Sequence, residues 1–97
     1  MATYLLALAA YADLEDIDRY TLDTWGSVQR DHYISTLFHQ FEVIASSPDM
    51  GRLRPELKEG VRSLPVLEHV VFYEQFENNC YVLRILHHRR DPALVFP

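Results

Sequence analysis

The sequence predicts an α+β fold: an N-terminal strand, an antiparallel helical hairpin, then a three-stranded antiparallel meander, in the order β-α-α-β-β-β. Three observations carry this. From His69 to Asp91, two runs rich in β-branched and aromatic residues flank Glu77-Asn78-Asn79, which is hairpin chemistry. From Ala7 to Ala45 the apolar residues recur at helical spacing, interrupted at Gly26. The 97 residues contain no repeat, low-complexity run or linker, so residues 1–97 read as one domain with helices packed on one sheet face.

Taken in order, Thr3-Tyr4-Leu5-Leu6 is a short β-prone opening. Leu14, Ile17, Thr21 and Trp25 then form the apolar stripe of a first helix, with Asp13, Glu15, Asp16 and Asp18 near its start, where the helix dipole favours acids. Those acids read as a solvated face, with docking on a basic partner as the functional alternative. Gly26 ends the helix as its C′ residue. Ser27 is placed to cap a second helix. Its stripe is Val28, Ile34, Leu37, Phe38, Phe41, Ile44 and Ala45, and Ser46-Ser47-Pro48 stops it. A single tight break makes the two helices antiparallel. Asp49 to Gly60 is broken by Gly and Pro and reads as a loop with room for a short helical turn. Val61 to Val66 resumes as a strand, and Pro65 marks it as an edge or an early end. His69–Tyr73 and Cys80–Leu86 form the closing hairpin.

Composition excludes several function classes. An apolar fraction of 48% suits a globular chain. No apolar run reaches the ~20 residues of a membrane span. The apolar start from Met1 to Ala12 lacks a basic region and does not read as a signal peptide. The lone Cys80 can form no internal disulfide and reads as a packed thiol. The net charge of −5 hides an asymmetry: residues 1–49 carry eight acids and two Arg, residues 50–97 six acids and seven Arg or Lys. Any anion contact is therefore local, and direct DNA binding is disfavoured.

The candidate site is basic. Arg52, Arg54, Arg62 and Arg84, with His87 and Arg89, could converge on one sheet face to meet an acidic partner; alternatively they pair with Glu56, Glu59, Glu68 or Asp91. Arg84 is expected to matter more than Arg30, which the helical period leaves on an exposed face. Tyr11, Tyr20, Tyr33, Leu53 and Phe76 are candidates for exposed apolar contact surface. Trp25 reads as core at the hairpin bend, against Tyr4 or Phe38. His69, His87 and His88 raise the question of a metal. Adjacent His87 and His88 point to opposite faces of a strand, so they do not easily share an ion, and no third ligand lies at useful spacing.

The order of elements resembles the ParE branch of the RelE/ParE toxin superfamily. The matching residues are Ala10, Asp13-Leu14, Ile17, Tyr20-Thr21 and Trp25-Gly26; Gln29, Tyr33, Pro48, Gly51-Arg52, Glu56-Leu57, Gly60 and Arg62; and His69–Tyr73, Arg84–His87, Arg89 and Asp91. The resemblance covers nearly the whole chain. It implies a cytoplasmic bacterial toxin of a two-component module, bound by a ParD-like ribbon-helix-helix antitoxin, acting on DNA gyrase without catalysis, cofactor or metal. The alternative is a ribosome-dependent mRNA endonuclease of the RelE branch. Several RNA-cleaving relatives use a Tyr, and here no Tyr follows Arg84, so the base would have to be His87, His88, Glu56 or Glu59. The chain departs from the family at Ala7, where relatives often carry a Ser or Thr cap worth ~1 kcal/mol, in the strongly basic His88-Arg89-Arg90, and in a tail that ends at Pro97.

Overall fold

The computed structural model describes residues 3–96; Met1 and Ala2 of the apolar start and Pro97 of the tail lie outside them. The elements are β1 (Tyr4–Leu6), α1 (Leu8–Trp25), α2 (Ser27–Ser46), β2 (Arg52–Leu53), β3 (Arg62–Val66), β4 (His69–Phe76) and β5 (Asn79–His87), with 3₁₀ turns at Pro48–Met50 and Pro92–Leu94. β3, β4 and β5 form the expected antiparallel meander. β1 adds to β5 in parallel, so the sheet runs β1-β5-β4-β3-β2. The segment read as a loop contains one more edge strand, β2, whose two residues are too short to leave a period.

Gly26, at φ 88°, joins the helices in a conformation that disfavours side chains. Gly26 itself occupies the N-cap position of α2 and Ser27 is already helical with no capping bond, which corrects the expectation for Ser27. Ala7 opens α1 without a side-chain cap, as expected. The β4–β5 turn is tighter than expected. Glu77 and Asn78 take φ of 49° and 67° while Asn79 already pairs with Phe76, the geometry of a two-residue hairpin turn.

Ala10, Leu14 and Ile17 of α1 and Tyr33, Leu37, Phe41 and Ile44 of α2 pack on Val66, Val71, Tyr73, Val82 and Ile85. Burying each large side chain contributes about 1.5–3 kcal/mol. The opposite sheet face has its own cluster. Leu57, Val61, Phe72 and Leu86 are buried there, and Val95 and Phe96 of the tail fold over them. The apolar surface available to a partner is correspondingly smaller than a bare sheet face.

The hairpin tip departs from the sequence reading. Trp25 is half exposed, with the Tyr20 ring edge-on to it at 6.4 Å, while Val28 is exposed and Phe38 partly so. The cause is positional: Trp25 lies across a cleft from the His88–Arg89 turn that follows β5, not over a strand. Among the described residues, no helix is long and apolar enough to cross a membrane.

Candidate partner-binding surface

Strand pairing places the arginines. Arg52 pairs with Ser63, Ser63 with Phe72 and Phe72 with Arg84, forming one row across the sheet. Cross-strand neighbours share a face, so Arg52, Phe72 and Arg84 start on the side away from the helices. Arg54 joins this row. Its Nη1 donates to Ser63 Oγ at 3.2 Å, its Nε to Glu56 at 2.8 Å, and its guanidinium lies 5.8 Å from the Phe72 ring centroid. Arg62 belongs to the next row, beside Tyr73, and faces the helices. It donates to the Gly51 carbonyl at 2.7 Å and pairs with Asp49. The four arginines therefore do not converge on one face.

Arg84 is tied down most firmly. Its Nε and Nη2 donate to the two oxygens of Asp13 at 2.7 and 2.9 Å, and the Ile85 amide donates to the same carboxylate at 2.9 Å. β1 ends at Leu6, opposite Val82, leaving the edge of β5 beyond it open. A bulge at Leu83 then turns Arg84 around that edge toward α1. Asp13 thus takes the place of a neighbouring strand. It is 8% exposed, which overturns its assignment to a solvated acidic face. The hydrogen-bonded carboxylate raises the Arg84 pKa further above its ordinary value. Its partner is an acid that sequence analysis had not paired with it. Arg30 is also corrected: it is partly buried and bridges Asp18 of α1 and Asp31 of α2.

At the far end of β5, His87 pairs with His69. The Tyr33 hydroxyl, which accepts the Glu68 amide at 3.1 Å, is hydrogen-bonded to His69 Nδ1. Tyr33 is 7% exposed and is core, not contact surface. Burial and the neighbouring His87 push the His69 pKa down to about 4, so its imidazole is neutral near pH 7. His88 lies past the end of the strand, where alternation no longer applies. Its ring sits 4.4 Å from that of His87, and its Nε2 is 3.0 Å from Glu68. The two imidazoles therefore share one side, contrary to the strand-based expectation. With Tyr20, Thr21, Trp25, Tyr33, Glu68 and Arg89 they line an open cleft of about 260 Å³. Glu68 faces His88 rather than an arginine, and Asp13 is an inward anchor whose helical spacing with Ala10, Leu14 and Ile17 was the available signal. Tyr11, Tyr20, Leu53 and Phe76 are exposed, as is Arg52, which has no ion pair among the described residues. Cys80 is buried, which lifts its pKa to about 11 and keeps it a thiol.

Residues 4–92 match the family described as the ParE toxin of the type II toxin–antitoxin system parDE. The chain belongs to the ParE toxin family. Toxin ParE1 of Mycobacterium tuberculosis is 39% identical over 89 residues, 91% of each chain. Toxin ParE1 of Caulobacter vibrioides is 37% identical over 87 residues, 90% of each. A solved structure titled as the chromosomal ParDE system of P. aeruginosa matches with a TM-score of 0.77 at 20% identity, covering 90% of this chain and 96% of that one. That likeness shows the fold alone.

Proposed function

We propose that this ParE chain acts by binding alone: it inhibits DNA gyrase and is neutralised by a ParD-like antitoxin. Membership of the ParE family supports the reading. The observation that carries it is the commitment of three arginines of the sheet region to internal contacts, Arg84 to Asp13, Arg62 to Gly51 and Asp49, and Arg54 to Glu56, which leaves Arg52 exposed. RNA cleavage needs cations available to phosphate and a base within about 3 Å of the 2′-hydroxyl. Here His87 pairs with His69 on the helix side, facing away from Arg52 and Phe72, and Arg89 is the cation that lines its cleft. That arrangement favours protein contact over catalysis.

Arg52, Arg89, Tyr11 and Leu53 are the exposed groups best suited to an antitoxin segment that alternates acidic and apolar side chains. In this reading the apolar side chains lie on Tyr11 and Leu53 while acids meet Arg52 and the outer edge of Arg54. A supercoiling assay with purified gyrase tests the function. The expected result is blocked supercoiling with accumulation of cleaved DNA, reversed by the cognate antitoxin. Unimpaired gyrase together with cleavage of mRNA on translating ribosomes would establish the RelE-type endonuclease instead.

A further inference from the structure

We propose that Glu68, His87 and His88 form a binding site for a borderline divalent transition metal of the Zn²⁺ class. One donor atom from each of the three lies within 4.8 Å of the other two, close enough to ligate one ion after small side-chain rotations. Two imidazoles and one carboxylate are the donors of a three-residue zinc site that keeps a position open for water or another ligand. The same set excludes Mg²⁺ and Ca²⁺, which require mostly oxygen ligands.

The backbone that carries these side chains is already fixed. The Glu68 amide donates to the Tyr33 hydroxyl at 3.1 Å, and the Glu68 carbonyl accepts the His88 amide at 2.9 Å. His87 is held in register opposite His69 as the last pair of the β4–β5 ladder. Three chain segments, the β3–β4 turn, the end of β5 and α2, therefore meet at one point. Only exposed side chains have to move to close on an ion, which limits the ordering cost of binding. His88 already bonds Glu68 through Nε2 at 3.0 Å, so an ion there replaces a proton between two existing partners.

The surroundings set the expected strength. His87 Nδ1 accepts the Arg89 amide at 3.2 Å; a metal bound through Nε2 places the ring proton on Nδ1 and gives up that bond. Arg89 adds a cation at the rim of the cleft. His69 cannot supply a fourth ligand through Nδ1, which is engaged by Tyr33. The site is accordingly an exchangeable one, weaker than a closed four-ligand structural site, and its open position faces the cleft lined by Tyr20 and Trp25. The assignment is independent of the gyrase reading: it concerns the bare chain and needs neither target nor antitoxin.

The test is calorimetric titration of ZnCl₂ into the tag-free, chelator-stripped chain. The expected result is one saturable equivalent. His88→Ala and Glu68→Gln should each weaken binding at least roughly tenfold, whereas His39→Ala, an exposed position of α2, should bind like the parent. Both ligand side chains are solvent-exposed, so metal-free melting curves of these variants should superimpose on the parent's. In NMR, Zn²⁺ should displace the His87 and His88 imidazole resonances and leave that of His39 in place. No saturable binding below about 1 mM, or equal affinity in the parent and both ligand variants, would overturn the proposal.

Discussion

Arg84 and His87 lie on the same strand, yet their surroundings are opposite in kind. Arg84 is clasped by a buried carboxylate that also caps a strand edge, with every oxygen of Asp13 engaged. His87 is exposed and belongs to a cluster whose backbone is fixed while its side chains remain open to solvent. The first arrangement holds the fold together. The second leaves chemistry available at the surface. Basic or nitrogen-rich composition alone did not distinguish them; what separates them is whether an inward position on α1 lies opposite.

The largest expected effect comes from breaking the clasp. Asp13→Ala leaves the Arg84 guanidinium and the Ile85 amide without their partner. It should cost about 3 kcal/mol, a value at the low end for buried pairs because Arg84 retains some exposure. Urea unfolding should show a lower midpoint at unchanged slope; a change within ~0.5 kcal/mol would refute the clasp. Next comes Gly51, where a new Cβ would sit 2.5 Å from the Tyr73 hydroxyl and 3.0 Å from the Ser63 carbonyl. Gly51→Ala should destabilise by about 2 kcal/mol. Tyr73→Phe in the same chain should cost less than it does alone, since the closest of the clashes goes with the hydroxyl while those with the ring Cε1 at 2.9 Å and the Ser63 carbonyl remain.

At the histidine end the effects are smaller. Tyr33→Phe removes the bonds to Glu68 and His69 and should cost about 1 kcal/mol by thermal melting. It should also loosen the β3–β4 turn, seen as faster hydrogen exchange at the Glu68 amide. Leu67 in that turn is exposed and holds a φ of 56°, a strained value for a branched side chain. Leu67→Asn should stabilise by roughly 0.5 kcal/mol, because Asn accepts this conformation more readily. A destabilised Leu67→Asn chain would mean that the leucine packs more than its exposure indicates.

The helices and the hairpin were legible because their apolar periods are long and end in Gly, Asn or Pro. Asp13 was misread because charge was weighed above position: its spacing with Ala10, Leu14 and Ile17 already put it on the inward stripe. Trp25 and Val28 follow helical periods correctly, but a period cannot say where the sheet beneath a helix ends. His88 was misplaced by extending strand alternation one residue beyond β5. β2 holds two residues, fewer than any alternation needs. Among the arginines, no local pattern separates Arg52, exposed and unpaired among the described residues, from Arg84, whose partner is 71 residues away in the chain.

The parallel pairing of Tyr4–Leu6 with Cys80–Val82 has a consequence in time. The first strand emerges from the ribosome early and has nothing to join until the last has been made. At about 5–20 residues per second, that wait is roughly 4–15 s. Meanwhile the helices lack the sheet they pack on, Asp13 has no Arg84 and the edge of β5 does not yet exist. A nascent chain stopped before Cys80 therefore lacks the clasp, the imidazole cluster and the completed sheet together.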